Sequence, residues 1–398
     1  MVKKNNVPKI RFKGFTEEWE QRELGELVTY YASNLSLKDA KVNGKYNLYD
    51  ANDMVGKTNE KPINEDYISV IKDGAGVGRI RMLPKNTLII STMGALIAKN
   101  NNLRFIYTLL QRFGISENFS GSTIPHIYFK DYGKISYYIG KSEEQIKIGN
   151  FFSTLDNLIT LHQRKYDKYK NLKNALLEKM FPKKGEKIPK IRFKGFTENW
   201  EQRRFEDELQ IVTDYVAAGS FADLAENVKY LNFPNYAQLV RTMDLKSNFT
   251  NKEQIFVDKK AFDFLWRVNL NRESIILPNI GNCGEIYLIN KEKLKYKNNV
   301  LGPNAILVRS ITNNNKFLSY SFQTKMFQNN LKLIISPNGQ TKFNKTDLKT
   351  VKIIIPKTLE QVKIGNLLNN IDNLITLHQD IFEKLKNIKK ALLEKMFI

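Results

Sequence analysis

Two glycine-containing segments of the sequence have residue types that could bind a phosphate group. Residues 51–58 (ANDMVGKT) match a relaxed phosphate-loop pattern, and residues 73–79 (DGAGVGR) resemble a dinucleotide-binding turn. A phosphate loop needs a glycine-rich turn between a strand and a helix. Residues 51–58 contain one glycine and are closely followed by Pro62, so we interpret them as a surface loop. In the second segment Arg79 replaces the third glycine of the motif. This segment is either a tight turn that brings Arg79 near a phosphate or a base edge, or a plain hairpin turn.

The other signatures of catalysis are incomplete. Residues 232–236 (NFPNY) resemble the Asn-Pro-Pro-Tyr/Phe loop of adenine methyltransferases, but the second proline is missing and no glycine-rich methyl-donor loop accompanies them. The three histidines and the single cysteine, Cys283, do not have the spacing of metal ligands. One cysteine also excludes an intrachain disulfide. We therefore predict no catalytic residue and no metal site in this chain.

The charge of the chain indicates a polyanionic partner. Among 398 residues, Lys and Arg number 63 and Asp and Glu number 41, which gives a net charge of +22. An excess of this size is typical of proteins that bind nucleic acid or an anionic membrane surface. No apolar run approaches the ~20 residues of a membrane-spanning helix, and the basic N-terminus lacks the apolar stretch of a signal peptide. We therefore expect a cytoplasmic protein that binds nucleic acid and not a membrane.

The sequence contains two internal repeats. Residues 8–22 (PKIRFKGFTEEWEQR) recur as residues 189–203 with a single difference, at position 18. Residues 143–181 align without gaps on residues 359–397, and 25 of these 39 positions are identical. A near-verbatim repeat of this kind indicates a tandem duplication.

The repeats divide the chain into two halves with the same order of segments. The segments between the repeats have no visible similarity until their last dozen positions, so each half is a shared frame around a variable domain. The predicted segments are a leading repeat (1–22), a first variable domain (23–142), a central repeated helix (143–181), a linker with the second leading repeat (182–203), a second variable domain (204–358) and a C-terminal repeated helix (359–398).

The longer repeat is predicted to form a long helix. Its first residues, Ser142 to Gln145 and Thr358 to Gln361, fit a capping box, in which a hydroxyl and a glutamine satisfy each other's free backbone donors. Apolar residues then follow at alternating spacings of four and three, as in a coiled coil. A helix of this length with one apolar face needs a partner, so we predict that the two copies pack on each other. The predicted helix-pairing residues are Leu155, Ile159, His162, Tyr166, Ile371, Ile375, His378 and Phe382.

The variable segments are predicted to be mixed α+β domains, because they contain short β-branched runs bounded by Gly, Pro or Asn. The predicted fold class is α+β, with two globular domains joined by two long antiparallel coiled-coil helices and a pseudo-two-fold internal repeat. Such a particle could place one domain on each half of a DNA site, because duplex DNA has local two-fold axes. The predicted strands are 87–90, 274–277, 285–289, 305–308 and 351–355.

The repeated motifs resemble those of a known protein family. The segments RFKGFTEEWEQR (11–22), EEQIKIGNFFSTLDNLITLHQ (143–163) and NALLEKMF (174–181) are similar to the specificity subunit of type I restriction–modification systems. The resemblance covers the whole chain in the order of the family. It implies that the variable segments are target recognition domains for a two-part, asymmetric sequence in double-stranded DNA, and that the helices set the spacing between the two parts.

The resemblance also implies the partners. In such systems separate methyltransferase subunits, of which we expect two, dock on the helices and methylate adenine, while restriction subunits translocate and cut DNA. We expect S-adenosylmethionine, ATP and magnesium on these partner subunits and no cofactor in this chain. The chain itself is then a non-catalytic subunit in the bacterial cytoplasm.

Basic and amide side chains of the variable domains are candidates for DNA contact. Residues 121–126 and 337–342 occupy equivalent positions shortly before the longer repeat, and loops that differ there could recognise different bases. Arginine suits guanine edges, and asparagine or glutamine suits adenine, although a phosphate contact or a solvated charge is the more common role of a single basic residue. The candidates are Lys72, Arg79, Arg81, His126 and Lys130 in the first half and Arg267, Gln340, Lys342 and Lys345 in the second.

Two other functions are compatible with these features. A coiled-coil scaffold that binds nucleic acid without sequence preference would show an affinity with a steep salt dependence. A self-sufficient DNA-modifying enzyme would show turnover with a single cofactor. Neighbouring genes for a methyltransferase and a translocase would disfavour both alternatives.

Overall fold

The computed structural model describes residues 6–74, 76–115, 125–336 and 341–398. The chain forms two compact units, one of Met1–Arg164 with His378–Ile398 and one of Lys165–Leu377. Each unit contains one variable domain and a part of each long helix. No helix in the described part of the chain is long and apolar enough to cross a membrane.

The first half of the chain alternates strands and short helices before one long helix. Its helices are α1 (Leu24–Leu27), α2 (Leu103–Phe113), α3 (Phe129–Tyr132) and α4 (Ser142–Lys179). Its strands are β1 (Glu20–Glu23), β2 (Val28–Ala32), β3 (Tyr46–Tyr49), β4 (Met54–Thr58), β5 (Tyr67–Ile71), β6 (Ile80–Leu83), β7 (Thr87–Ile89), β8 (Met93–Ala98) and β9 (Ser136–Ile139).

The second half has the same plan with more short helices. Its helices are α5 (Phe205–Glu208), α6 (Phe221–Asn227), α7 (Thr242–Lys246), α8 (Lys259–Phe264), α9 (Asn315–Gln323), α10 (Lys325–Lys332), α11 (Lys345–Thr350) and α12 (Thr358–Met396). Its strands are β10 (Glu201–Arg204), β11 (Ile211–Asp214), β12 (Ala237–Val240), β13 (Ile255–Val257), β14 (Ser274–Pro278), β15 (Tyr287–Ile289), β16 (Asn299–Leu301), β17 (Ala305–Arg309) and β18 (Lys352–Ile355).

The two variable domains have the same sheet topology. In the first domain a four-stranded sheet has the order β2-β8-β5-β6 and a three-stranded sheet the order β4-β3-β7. In the second domain the corresponding orders are β11-β17-β14-β15 and β13-β12-β16. The strand directions agree as well, since β7 and β16 run parallel to their neighbours and the other pairs in these sheets are antiparallel. The two domains therefore share one fold without visible sequence similarity.

The predicted α+β class is confirmed, and the five predicted strands are present as β7, β14, β15, β17 and β18. The other strands of the variable domains, and the topology that the domains share, were not predicted. Strands such as β4 (MVGKT) and β6 (IRML) mix charged and apolar residues, so they lack the continuous apolar run of a buried strand. Their β conformation depends on pairing with a neighbouring strand, β3 for β4 and β5 for β6.

Each leading repeat places a tryptophan in the core of its unit. Trp19 is 2% exposed and lies edge-on to Phe105 of α2 and to Phe397, with ring centroids 5.7 and 5.9 Å apart. Trp200 is 1% exposed and lies edge-on to Phe317 of α9 at 5.6 Å. The tryptophan of each leading repeat thus packs on the helix that follows the sheets of its variable domain, α2 or α9. In the first unit it also packs on Phe397, next to the end of α12.

A buried ion pair fixes each leading repeat to the start of a long helix. Arg11 donates from Nε and Nη2 to the two oxygens of Glu144 at 2.7 and 2.8 Å, and Arg192 makes the same two bonds to Glu360 at 2.7 Å each. The glutamate side chains are 0% and 1% exposed. Trp19 also donates to Glu144 at 2.9 Å. Hydrogen bonds to the glutamates raise the pKa of both arginines, so each buried carboxylate has a permanently charged partner.

The glutamine of each predicted capping box makes tertiary contacts instead. Gln145 accepts a hydrogen bond from the backbone nitrogen of Asn102 and donates to the carbonyl of Gly140. Gln361 accepts from the backbone nitrogen of Asn314 in the same way. Asn102 and Asn314 are the N-caps of α2 and α9. The structure differs from the capping-box prediction, because these buried glutamine side chains accept hydrogen bonds from the N-cap residues of a neighbouring helix.

The predicted packing of the two long helices on each other is confirmed. In the unit that contains the first domain, Lys389 of α12 binds Asp156 of α4 at 2.5 Å. The Nδ1 atoms of His162 and His378 are 3.0 Å apart in the same unit. From Asp156 to His162 the residue number on α4 increases, whereas the number of the facing residue on α12 decreases from Lys389 to His378. The two helices therefore run antiparallel.

Two lysines that interrupt the apolar stripe of the helices form equivalent ion pairs. Lys173 binds Asp372 at 2.8 Å in its unit, as Lys389 binds Asp156 in the other. Tyr320 of α9 also donates to Asp372 at 2.8 Å. Partly buried ion pairs cost desolvation free energy, but they fix the register of a helix pair, because a shifted helix would leave each charge without its partner.

The Arg11–Glu144 pair predicts a large loss of stability when one partner loses its charge. Glu144→Gln leaves a mostly buried guanidinium without a counter-charge, which typically costs about 3–5 kcal/mol. We expect urea unfolding of the variant to begin at a clearly lower concentration. The control is Glu20→Gln, which removes the exposed pair with Arg22 and should cost less than about 1 kcal/mol. Equal losses in the two variants would contradict a special role for the buried pair.

Candidate nucleic-acid interface

The central strands of the two variable domains end in loops with the same backbone geometry. After β5, the nitrogen of Lys72 donates to the carbonyl of Thr92 at 2.9 Å, and its carbonyl accepts from Ile127 at 3.0 Å. After β14, Asn279 makes the two corresponding bonds, at 3.1 and 3.0 Å. Lys72 and Asn279 therefore occupy corresponding positions.

Bridging residues extend this correspondence to the loops that precede the longer repeat. Asp73 forms a β-bridge with His126 in the first domain, and Ile280 forms one with Lys342 in the second. The repeat offset of 216 also relates His126 to Lys342 in the sequence. Backbone register and sequence repeat thus agree on which residues of the two loops correspond.

In the first domain, the loop after β5 and the loop before the longer repeat lie side by side. Together they present a lysine, a pair formed by an aspartate and a histidine, and an exposed tyrosine ring. The Nδ1 atom of His126 is 2.5 Å from Oδ1 of Asp73, and both side chains are about one-third exposed. Tyr128 is 50% exposed, with the His126 ring stacked beside it and the ammonium of Lys130 lying 5.5 Å from its centroid. Lys72 is half-buried and has no ion pair with a described residue. The structure thus brings together three of the five candidates of the first half.

The other two candidates, Arg79 and Arg81, lie on the hairpin of β5 and β6 and bind the loop before β4. Arg79 donates to the carbonyl of Ala51 and to the side chain of Asn52. Arg81 donates to the carbonyls of Asn52 and Asp50 at 2.8 and 3.1 Å. Since these donors already bind the protein's own backbone, both arginines hold this loop against the hairpin. Arg79 itself is exposed, so a contact of this arginine with a phosphate or a base edge stays a prediction.

The loop before the longer repeat in the second domain contains two of the candidate lysines, Lys342 and Lys345. Lys342 is exposed and makes no ion pair with the described residues. Lys345, the first residue of α11, binds Asp214 at the end of β11 at 2.8 Å. The predicted residue Gln340 lies in residues 337–340, which are outside the described residues. In the first domain, residues 116–124 are also outside the described residues.

The remaining candidate, Arg267, lies on a separate turn at Trp266–Val268. Its guanidinium lies 5.0 Å from the centroid of the Trp266 ring, and this tryptophan is 66% exposed. A guanidinium beside an exposed indole can bind an anion or stack on a flat ring. The sequence-based prediction did not include Trp266, although it is one of only three tryptophans and stands next to an arginine.

A cavity of about 490 Å³ beside the loop after β14 was also missed. It is lined by the aromatic rings of Tyr215, Phe221 and Tyr230, together with Asn279. Burial raises the pKa of Tyr215, so its hydroxyl stays protonated. The side-chain oxygen of Asn279 is buried and has no donor among the described residues. These residues are spread over the sequence without a pattern, and only the fold brings them together.

The predicted helix-pairing residues are all withdrawn from solvent to some degree. Leu155, Ile371 and His378 are 7%, 5% and 7% exposed. The ring centroids of His162 and His378 are 5.0 Å apart. The other predicted residues, which are partly buried, are Ile159, Tyr166, Ile375 and Phe382.

The segments that resembled catalytic motifs have other structures. Residues 51–58 were expected to form a surface loop, but β4 occupies their second part and no helix follows it, so they are not a phosphate loop. Residues 232–236 precede β12 with Phe233 55% exposed and Tyr236 41% exposed. Burial raises the pKa of the Cys283 thiol, which disfavours the reactive thiolate. In the part of the chain that is described, no cluster of three His, Cys, Asp or Glu side chains could hold a metal ion.

The contacts of Arg81 predict a structural role that can be separated from its charge. Arg81→Lys keeps the charge but cannot reach both carbonyls with a planar fork, so we expect a loss of about 1–2 kcal/mol. The control is Lys72→Gln, a side chain that has no ion pair with the described residues, which should change stability by no more than about 0.5 kcal/mol. Urea unfolding followed by circular dichroism measures both. Wild-type stability in Arg81→Lys would show that the arginine does not hold the loop.

Comparison with known proteins places these features in a family. The family model described as the type I restriction modification DNA specificity domain matches residues 16–171 and 197–387. The type I restriction enzyme MjaVIII specificity subunit of Methanocaldococcus jannaschii is 24% identical over 98% of this chain and 95% of its own length. The crystal structure of a type I restriction–modification S subunit from M. genitalium has the same fold, with a TM-score of 0.65, 17% identity and coverage of 98% of this chain and 99% of the other. Since the family model matches most of both halves, this chain belongs to the family of type I restriction–modification DNA specificity proteins.

Proposed function

We propose that this chain selects the DNA sequence for a type I restriction–modification complex, and that each variable domain recognises one half of a two-part site. The observation that carries this proposal is that two domains of one topology present different side chains at corresponding loop positions. Lys72 corresponds to Asn279, and His126 corresponds to Lys342. An imidazole can donate or accept a hydrogen bond, whereas an ammonium only donates, so the position shared by His126 and Lys342 suits different base edges in the two domains. The half-sites should therefore differ in sequence.

We propose that the long helices set the distance between the half-sites. α4 and α12 contain 38 and 39 residues, which is about 57 Å of helix at ~1.5 Å per residue. One turn of duplex DNA spans about 34 Å, so helices of this length suit half-sites more than one turn apart. The ion pairs of Lys173 and Lys389 support this role as a molecular ruler, because helices that set a distance must pair in one fixed register.

Two methyltransferase subunits are the proposed partners of the repeated segments. A surface that occurs twice in one chain is suited to two copies of one partner. The methyltransferase subunits would hold S-adenosylmethionine, and restriction subunits would hold ATP and magnesium. This chain would supply no cofactor ligand and no catalytic group, in agreement with the incomplete catalytic motifs of its sequence.

The recognition role predicts a split methylation motif that depends on this chain. Adenine methylation can be mapped by single-molecule sequencing of genomic DNA from cells that carry the cognate methyltransferase subunit with or without this gene. We expect a two-part, asymmetric motif only when the gene is present. The double variant Lys342→Gln with Lys345→Gln removes two positive charges from the second domain. We expect it to methylate fewer genomic sites because recognition of the second half-site is weaker, while the sequence of the first half-site stays the same.

The same measurement distinguishes the alternatives. A continuous motif, or no motif with an active methyltransferase present, would count against recognition by two domains. Sequence-independent binding with a steep salt dependence would favour a scaffold. Methylation or cleavage by the purified chain with a single cofactor would favour a self-sufficient enzyme.

The ruler role predicts that longer helices lengthen the gap between the half-sites. We expect insertion of four residues after both Lys168 and Lys384 to add about 6 Å of helix at ~1.5 Å per residue. This corresponds to one or two base pairs, since successive pairs are about 3.4 Å apart. The methylation motif should gain this spacing and keep both half-sites. An unchanged gap in an active complex would refute the ruler.

A further inference from the structure

In the first domain, the backbone holds an aspartate and a histidine side by side. Asp73, after β5, and His126, in the loop before the longer repeat, form an isolated β-bridge. The nitrogens of the residues that follow them, Gly74 and Ile127, donate to carbonyls of the opposite loop at 3.1 and 3.0 Å. Because these bonds join the two loops next to the pair, the Asp73 and His126 side chains are kept within reach of each other.

The carboxylate of Asp73 determines which nitrogen of the His126 ring carries a hydrogen. Oδ1 of Asp73 lies 2.5 Å from Nδ1 of His126. An ionised carboxylate only accepts hydrogen bonds, so Nδ1 must carry a hydrogen and donate it. In the neutral imidazole the other nitrogen, Nε2, then has a free lone pair and is an acceptor. The pair therefore fixes both the direction of the ring and its tautomer.

The pair lies at the surface, among groups that suit a nucleic acid. The side chains of His126 and Asp73 are 35% and 32% exposed. The His126 ring is stacked beside the half-exposed ring of Tyr128, with centroids 6.5 Å apart, and the ammonium of Lys130 lies 5.5 Å from the Tyr128 centroid. Nε2 makes no hydrogen bond with a described residue. One edge of the ring and one of its faces thus have partners in the chain, and the Nε2 edge is available to a ligand.

A carboxylate at a DNA-binding surface weakens the attraction to DNA, because it repels the phosphates. Asp73 makes no ion pair with a lysine or arginine among the described residues, and its ionic partner there is His126. General attraction to DNA therefore does not explain an acid at this position. Its contact with the imidazole does, because the acid gives the ring one defined hydrogen-bonding edge.

The second domain has a different chemistry at the corresponding position. There Ile280 forms the β-bridge with Lys342, so an apolar side chain stands where the first domain has a carboxylate. An ammonium carries only donors and has no tautomer that a neighbour must select. The two domains of one chain thus differ in the feature to be tested.

We propose that Asp73 is a positioning residue that holds His126 as a hydrogen-bond acceptor, so that Nε2 accepts from the exocyclic amino group of a cytosine or an adenine in the first half-site. This inference rests on the proposed function and names the chemical group that is recognised at one position. The amino groups of cytosine and adenine are donors in the major groove, whereas guanine and thymine present acceptors there. A guanine or thymine would place a second acceptor against the Nε2 lone pair.

The test removes single amino groups from the DNA. The full chain, assembled with its methyltransferase subunits, methylates duplex oligonucleotides that carry its two-part site, at about pH 8, above the range in which histidine usually becomes charged. In the first half-site each adenine other than the methylated one is replaced by purine, and each cytosine by pyrimidin-2-one, so that only an amino group is lost. At the position that His126 contacts, we expect kcat/KM of the wild-type complex to fall about 10-fold, as for one lost hydrogen bond to a base.

Two variants identify that position. His126→Ala removes the acceptor, so removal of the amino group there should change kcat/KM by less than about twofold. Asp73→Asn has nearly the same shape, but its amide can donate to Nδ1, and Nε2 then carries the hydrogen. The same position should lose its amino-group effect in Asp73→Asn and accept guanine or thymine with a kcat/KM no lower than that of the natural base. A substitution that only loosened the loop would weaken methylation of all these substrates alike.

The controls test charge, folding and the other half-site. Glu65→Gln removes an exposed carboxylate from the same domain and should keep every amino-group effect. The second half-site should keep its base preferences in all variants, because a different domain recognises it. Urea unfolding shows whether each variant is folded, and one that is not is replaced by His126→Phe or Asp73→Ala, which also remove the contact.

The inference is overturned if no amino-group effect in the first half-site depends on both residues. An effect that is lost in Asp73→Asn but persists in His126→Ala would make the carboxylate itself the acceptor, and an effect that depends on His126 alone would refute the positioning role. A failure of the proposed function is distinguishable, since the wild-type complex would then methylate no two-part motif.

Discussion

The arrangement of each half depends on one buried contact, the bidentate pair between an arginine of the leading repeat and a glutamate in the first turn of a long helix. The glutamate side chains are 0% and 1% exposed, and an unpaired carboxylate at that depth would cost several kcal/mol. Arg11 and Arg192 therefore have one favourable position each. This constraint brings the leading repeat, the helix and the core tryptophan together at the same place in each half.

A second constraint acts along the helices. An apolar stripe allows two helices to pack in more than one register, because a shift of one heptad restores similar contacts. Lys173 and Lys389 interrupt the stripe and each require an aspartate opposite them. Only one antiparallel register satisfies both lysines. Residues that weaken the apolar face thus make the pairing specific, and a fixed pairing is what a proposed molecular ruler requires.

The variable domains show how one backbone can support two specificities. Their sheets have the same strand order and directions, and the loops after β5 and β14 make the same backbone hydrogen bonds. Backbone bonds do not depend on side-chain identity, so side chains at the loop positions are free to change. His126 and Lys342 occupy corresponding positions with different hydrogen-bonding properties. The contrast between a backbone arrangement that occurs twice and loops with unlike side chains is the physical basis of the proposed recognition of two different half-sites.

The sequence by itself determined the repeats, the two long helices and the α+β class, because these depend on local patterns. Identical motifs are visible without a structure, and the 4-3 spacing of apolar residues is fixed by the geometry of a helix. Only the tertiary structure decided the contacts of Gln145 with the N-cap of α2, the use of Arg79 and Arg81 to hold a neighbouring loop, and the common topology of the two variable domains. Each of these joins residues that are distant in the chain, such as Arg81 and Asp50. A basic residue has the same appearance in a sequence whether it binds DNA or its own backbone, because the partner that decides its role is brought to it only by folding.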